Sequence, residues 1–507
     1  MRIRISAPAD TGLSPLDDRL ALVSMQVTGP DFPTLIQSRP VVRGQPVDLG
    51  EVPFANDLSI AIMAADSAGR MLGYGRSDAT IDVDQGKDAE VTVRLRRPFS
   101  YLTGGSSVVA LDPTFDITQS YRRDLAGLGN ALAVAPAPDG RDIAIVTGTT
   151  VRLVDSGTHA AIDGLSPVTI EAGARDALIS PDSQWLVITH ATGVTLLKLA
   201  DVRAGSASPH FFPVGAASAI AYEGGIAWVL VDAAAATCQA SPVSKLVPID
   251  LAGGTAGSAT SMGVSIADLA GDSANDLVLA SVPCSDAVKR VMTAGAPVLV
   301  DFLSVPLAGP VVAANGRVWA IGSVDARVVQ VPDPQNGGTR ADTDGTAHLV
   351  LVTADKNGNA ATSIALPIPE EFAKGTDIGL ADVPGQSAEV RLGADQVRAL
   401  DLAVEPDGSR LALIWNSSYD SIFFGNAPPF IDVVVSSLTL TTSEYQLLDA
   451  ATGASLQRLR TRCEGMTNAD GFLTRFQCVL SPGQDDSQTT PTNGYAPTHV
   501  AVLFGDR

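Results

Sequence analysis

A short pattern recurs along this chain: an apolar strand, a Pro-Asp-Gly-type turn, and a second apolar strand. It reads APAPDGRDIAIVT at 135–147, ISPDSQWLVIT at 179–189, AYEGGIAWVLV at 221–231, AANGRVWAIG at 313–322 and VEPDGSRLALIW at 404–415. With Gly140, Ser183, Gly225, Gly316 and Gly408 aligned, the spacings are 43, 42, 91 and 92 residues. GDSANDLVLAS at 271–281 is a degenerate copy that splits the first long gap into two units. The second gap reads as one unit with a long insertion, two units being the alternative. A period of about 40–50 residues holds four short strands, and such a blade cannot bury both faces alone. Blades packed in a ring cover one another, so the period predicts an all-β fold, a β-propeller. The units count to seven blades, with six or eight left open.

Trp228 and Trp319 occupy one slot, three residues after the aligned glycine, and Leu186, Leu277 and Leu411 stand in register with them. A large apolar residue repeated at one slot predicts packing between blades. Ring closure is predicted to join the two chain ends. RFQCVLSP (475–482) and THVAVLFG (498–505) read as a first and second strand, and SSVVALDP (106–113) and DITQSYRRD (116–124) as the missing third and fourth. The expected domains are a small β-sandwich at 1–97, a linker at 98–105 and the propeller at 106–507. In the first of these, alternating apolar runs at 20–27, 58–64 and 90–95 are separated by Gly, Pro and Asp turns.

Third strands such as VRLVDSGT (151–158) and fourth strands such as SPVTIEAG (166–173) resemble those of bacterial YVTN-type, WD40-like propeller repeats. That resemblance implies surface or periplasmic proteins, of the secreted or lipoprotein-like type, that bind or build. Some of their relatives are enzymes. The N-terminal unit resembles an immunoglobulin-like or transthyretin-like sandwich, at the level of fold alone.

The charge balance narrows the partners. With 34 basic and 55 acidic residues the formal net charge is −21, which repels phosphate backbones and excludes nucleic acid as a partner. No apolar run is long enough to span a membrane, and a lipid anchor upstream is left open. In the propeller frame Cys238 and Cys284 follow the second strands of adjacent units, and Cys463 and Cys478 also fall on neighbours. Two disulfides, Cys238–Cys284 and Cys463–Cys478, are expected, which points to an extracytoplasmic location: cell surface, periplasm or secreted.

No spacing among the five histidines suits a metal or a nucleophile pair, and GxSxG, P-loop and dinucleotide patterns are absent. Asp268, Asp272 and Asp276 are spaced like a calcium loop of the integrin type, although Ala270 and Ser273 remove expected features; Ca²⁺ is the one cofactor the pattern points to. Long loops after second strands are expected at 232–244, 281–296, 323–346 and 416–430, on one face. The last holds Tyr419, Phe423, Phe424 and Phe430, a concentration of aromatics in a chain with 5% of them, and forms the candidate partner-binding patch. The N-terminal domain is expected to enter on this same face. The leading function is therefore a non-catalytic binding or assembly protein that meets a protein or glycan by the long-loop face. One alternative is a propeller enzyme, of lactonase or hydrolase type, with a polar or metal site in the central channel drawn from Asp176, Asp268 and Asp401. Another is a structural subunit of a surface assembly.

Overall fold

The computed structural model describes residues 2–6, 14–29, 32–42, 47, 51–52, 54–77, 80–84, 90–104, 108–114, 122–125, 130–233, 243–325, 327–332, 339–344, 347–366, 376–378, 388–391, 396–427, 430–468, 473–482 and 498–505. Among these residues the chain is almost wholly β, and the protein is a β-propeller. Its repeated motif folds as read. The aligned turn residues Gly140, Ser183, Gly225, Gly316 and Gly408 have φ of 67°, 56°, 80°, 73° and 70°, and Asp276 in the degenerate copy has 47°. A left-handed residue reverses the chain so that the second strand pairs back on the first.

The first strands of successive sheets are Ala131–Pro136, Ala174–Ile179, Ala217–Glu223, Asp268–Asp272, Val311–Ala314 and Gln396–Val404. Each packs against the next in this order. His499–Val502 then packs against both Gln396–Val404 and Ala131–Pro136, so the order closes on itself. A separate apolar core fills each junction. Trp319 lies fully buried with Leu402, Leu411 and Leu413 of the following sheet, and Trp228 with Ile266, Leu269 and Val278 of its own neighbour. Leu186 packs with Ala133 and Ala135, and Leu277 with Val311 and Ala313. Burying one such side chain contributes about 1.5–3 kcal/mol, and only the neighbouring sheet supplies the cover.

The closure differs from the sequence expectation. The chain ends share one sheet, in the order His499–Val502, Ser100–Thr103, Val108–Leu111, Arg122–Leu125. The C-terminal segment gives one strand and the front gives three, so residues 100–103 of the expected linker are a strand. Val500 pairs with Leu102, which in turn pairs with Val109. Leu473–Pro482, expected in this sheet, pairs instead with Ser455–Asn468 of the preceding one. Ser100–Thr103 is buried at every residue, and the Tyr445 hydroxyl donates to Ser100 Oγ at 3.0 Å. A polar-ended SYLT preceding Gly104 reads as a linker in sequence, yet it pairs on both edges.

Two expected loops are also strands. Residues 281–296 form a tight reversal at Pro283–Ser285 and the strand Ala287–Met292. Residues 416–427 and 430 belong to a long hairpin of Arg410–Ala427 with Phe430–Asp449, extended sideways by Ser455–Asn468 and Leu473–Pro482. Other sheets of the ring use second strands of four to eight residues, whereas this one has 18. The inner strand ends its pairing at Ser418, so the segment 419–427 runs roughly 30 Å past the blade, at about 3.3 Å per residue. The insertion at 323–346 carries its own hairpin, Arg327–Pro332 with Thr339–Asp344, while the strands on either side stay in one sheet.

Ahead of the ring, Phe32–Pro40, Leu22–Gly29, Ala55–Ala65 and Met71–Arg76 pair in that order, and Arg2–Ser6 pairs in parallel with Glu90–Arg94. Alternate residues Val23, Met25, Val27, Leu58, Ile60 and Ile62 share a core with Val91, Val93 and Leu95.

Candidate functional site

The inner strands begin with a repeated irregularity. Register shifts fall between Ala131 and Ala133, Ala174 and Asp176, Ala217 and Ala219, and Ala399 and Asp401. A bulge adds one residue and bends the strand. Here it sets Ser218 and Leu400 into the wall of a channel-mouth cavity of about 190 Å³, which Asp176, Asp268, Asp401 and His499 also line. The three aspartates named for a channel site thus come together at one end of the ring.

Their carboxylates are engaged with the ring itself. Asp401 Oδ2 accepts the Val500 N–H at 2.8 Å, its Oδ1 accepts the Leu402 N–H at 2.9 Å, and His499 Nδ1 lies 3.4 Å from Oδ2. Asp268 Oδ2 accepts the Val311 N–H at 3.0 Å, and Asp176 Oδ1 accepts the Ala177 N–H at 2.7 Å. Asp268 and Asp401 therefore each tie their own inner strand to the next. Charge-assisted bonds of this type are about twice as strong as neutral ones. Ser218 Oγ is buried without a hydrogen-bond partner. Among the described residues no group of three His, Cys, Asp or Glu side chains is placed to hold a metal ion.

Sequence reasoning missed His499 and Ser218. A signal for Ser218 exists: positions 176, 218, 309 and 401 all lie seven before an aligned turn residue (183, 225, 316, 408), and all four line the mouth. His499 carries no such mark, because its strand follows no turn of the repeat.

Asp268 and Asp272, expected in a calcium loop with Asp276, lie at the two ends of the strand Asp268–Asp272. Its ends lie about 13 Å apart at 3.3 Å per residue, so Asp268 faces the mouth while Asp272 is at the other end. There Asp272 Oδ2 accepts the Gly316 N–H at 2.9 Å and the Asn275 amide at 2.8 Å. Asp276 is the left-handed turn residue. Tyr419, Phe423, Phe424 and Phe430 lie on strands of the long hairpin, not on a loop; Tyr419 pairs with Leu440 and Phe423 with both Ser436 and Glu389. Their side chains lie outside the described residues, as does Cys238.

The N-terminal domain covers the opposite end of the ring, which corrects the expected placement on the long-loop face. Its Gln26, Ser59 and Tyr74 share a cavity of about 290 Å³ with Pro138, Pro181 and Tyr222 of the turn end. Polar contacts fix it there. Arg97 is buried and donates to Asp112 Oδ2, Asp17 Oδ2, Thr114 Oγ1 and the Ser14 carbonyl at 2.8–2.9 Å. Burial pushes the Asp17 carboxyl up, but bonding and charge from Arg19 and Arg97 outweigh it and hold its pKa below the usual value. Arg410 donates to the Pro113 and Met71 carbonyls at 3.1 and 3.3 Å.

No family model matches the chain, and no curated protein does. Solved structures of similar fold include apo AztD from Citrobacter koseri, at 12% identity and TM-score 0.39 over 81% of this chain and 98% of that one. The dihydro-heme d1 dehydrogenase NirN in complex with DHE is similar at 14% and 0.37, over 80% and 75%. Kuenenia stuttgartiensis hydrazine synthase is similar at 12% and 0.39, over 58% and 76%. At this distance no residue role carries across.

Proposed function

We propose that the chain is a non-catalytic, extracytoplasmic binding or assembly protein: a seven-bladed propeller that meets a protein or glycan partner on the face away from its N-terminal domain. One observation carries the reading. The hairpin Arg410–Ala427 with Phe430–Asp449 outruns its blade on that face, beside the channel mouth, while the N-terminal domain occupies the other. A projecting sheet on a rigid ring offers backbone edges and alternating side chains to a partner. The mouth aspartates favour binding over catalysis, since they spend oxygens on backbone N–H groups.

The YVTN-like repeat and the immunoglobulin- or transthyretin-like sandwich fit this reading. So do two disulfides. Cys284 is not a free thiol, and Cys463 stands directly opposite Cys478 across paired strands. That opposition supports a Cys463–Cys478 bridge, and Cys238 is the partner proposed for Cys284. No helix among the described residues is long and apolar enough to cross a membrane.

Trimming the hairpin in register tests the reading, with Ser418 joined to Thr441 through an Asn-Gly turn. These two residues pair in the intact protein. Crosslinking on the producing cells is expected to capture a partner with the full chain and lose it with the trimmed chain, at an unchanged melting temperature. Equal capture by both chains overturns the proposal.

A further inference from the structure

The cavity between the N-terminal domain and the turn end of the ring is independent of the partner-binding face, because it opens at the opposite end. Its roof is the outer side of the Leu22–Gly29/Ala55–Ala65 pair, where Thr28 faces Ser59 and Gln26 faces Ala61 in register. The inner side of the same pair is the domain's apolar core, so strand alternation places the polar residues toward the ring. Close to the joint this outer side is filled: Ala61, Met63 and Tyr74 pack against propeller residues including Phe504. Further out the two surfaces part, and about 290 Å³ stays open.

The two walls differ in chemistry. Gln26, Thr28 and Ser59 present uncharged donors and acceptors from the roof, beside Arg76, whose Nε donates to the Tyr74 hydroxyl at 3.2 Å. The floor is apolar where Pro136, Pro138 and Pro181, whose rings have no N–H to offer, lie above the buried Tyr222. At its edge it carries Asp272, Ser273 and Asn315; Asp272 Oδ2 is spent on the Gly316 N–H and the Asn275 amide, and the Asn315 amide on the Pro406 carbonyl. The Tyr222 hydroxyl is spent on the Leu178 carbonyl at 2.7 Å, so this side chain contributes to the floor with its ring. Both walls are held apart by the buried Arg97 and Arg410 contacts, which makes the gap a formed site and not one that must open. Ligand sites favour domain junctions and combine an apolar surface with a few convergent polar groups.

We propose that this cavity binds a small neutral polyhydroxylated ligand, of the size of one sugar ring, with hydroxyls toward Gln26, Thr28 and Ser59 and a C–H face on the prolines. A sugar ring has one apolar face and a polar rim, which matches a wet roof over the proline part of the floor and polar groups at its edge. A volume just under the usual range of about 300–1,000 Å³ for drug-sized ligands limits the occupant to one ring.

Saturation-transfer NMR on the intact protein tests this with methyl glucoside, methyl galactoside and N-acetylglucosamine as probes. At least one is expected to show transfer to its ring protons. The double variant Gln26→Leu with Thr28→Val keeps the bulk of both side chains and removes their polar atoms. It is expected to weaken that probe by tenfold or more, with an unchanged melting temperature. A second variant, Ser59→Phe, fills the space and is expected to abolish the signal. No transfer from any probe, or transfer that both variants leave intact, overturns the proposal. Either outcome leaves the partner-binding reading standing, since that rests on the hairpin at the far face.

Discussion

The ring of Tyr74, in the N-terminal domain, meets the ring of Phe504, just past the closing strand, edge-on at 5.5 Å between centroids. The chain's last described turn is thus clamped by its first domain. On its other side the Phe504 ring sits where a Cβ on Gly140 would lie, 2.3 Å from it. One aromatic side chain therefore joins the domain, the closing sheet and the first full sheet.

Phe504→Ala removes this junction. Truncating a buried Phe costs about 3–5 kcal/mol, and thermal denaturation is expected to show a loss of that order. Gly140→Ala adds a clash with the same ring to a left-handed backbone at φ 67°. Gly225→Ala has φ 80° but meets nothing within 4 Å, so it carries only the conformational cost of about 1–2 kcal/mol. Gly140→Ala is expected to melt well below Gly225→Ala.

Arg97 is the main polar tie between domain and ring. Arg97→Met leaves the Asp112 carboxylate, 1% exposed, without its guanidinium. Breaking a buried pair from one side costs about 3–5 kcal/mol. Urea denaturation is expected to register that loss, and Asp112→Asn added to Arg97→Met is expected to recover part of it.

Glu405 gives the joint a pH dependence. It is fully buried, and burial pushes its carboxyl from 4.5 up to about 7. Arg410 Nε donates to Oε2 at 2.5 Å, while Oε1 has no partner. An acid with a raised folded pKa holds more protons folded than unfolded between the two values. Stability from this group therefore falls as pH rises from 4.5 through about 7, by on the order of 1 kcal/mol per unit. Glu405→Gln is expected to flatten the pH profile of the melting temperature across that window, and an unchanged slope would contradict the assignment.

Asp268→Asn and Asp401→Asn test the mouth aspartates as ties between inner strands. Each removes a charged acceptor from a neighbouring N–H, at a cost of about 1.5–3 kcal/mol for such bonds. Both are expected to lower the melting temperature, and binding at the hairpin beside the mouth is expected to survive in the folded variants.

What could be read from the sequence was local. The left-handed slot at Gly140, Ser183, Gly225, Gly316 and Gly408 leaves a mark because few residues tolerate it, and Trp228 and Trp319 mark inter-blade packing by size. Asp176, Asp268 and Asp401 were recognisable as channel residues, though not their bonds to N–H groups of the ring. The closing sheet is not legible in the sequence because strand pairing between Leu102 and Val500 is non-local, and no period connects them. The side on which the N-terminal domain docks depends on Arg97 and Arg410, whose partners lie on other segments. The spacing of Asp268, Asp272 and Asp276 does not show that the first two stand at opposite ends of a strand, because an extended strand separates residues that a loop would gather.

Closure by a single C-terminal strand is most directly tested by cysteine crosslinking at position 500. Oxidation of Val500→Cys with Leu102→Cys is expected to yield the linked peptide by mass spectrometry, and Val500→Cys with Val109→Cys is expected to yield none. Linkage to position 109 and not to 102 would contradict the closure described.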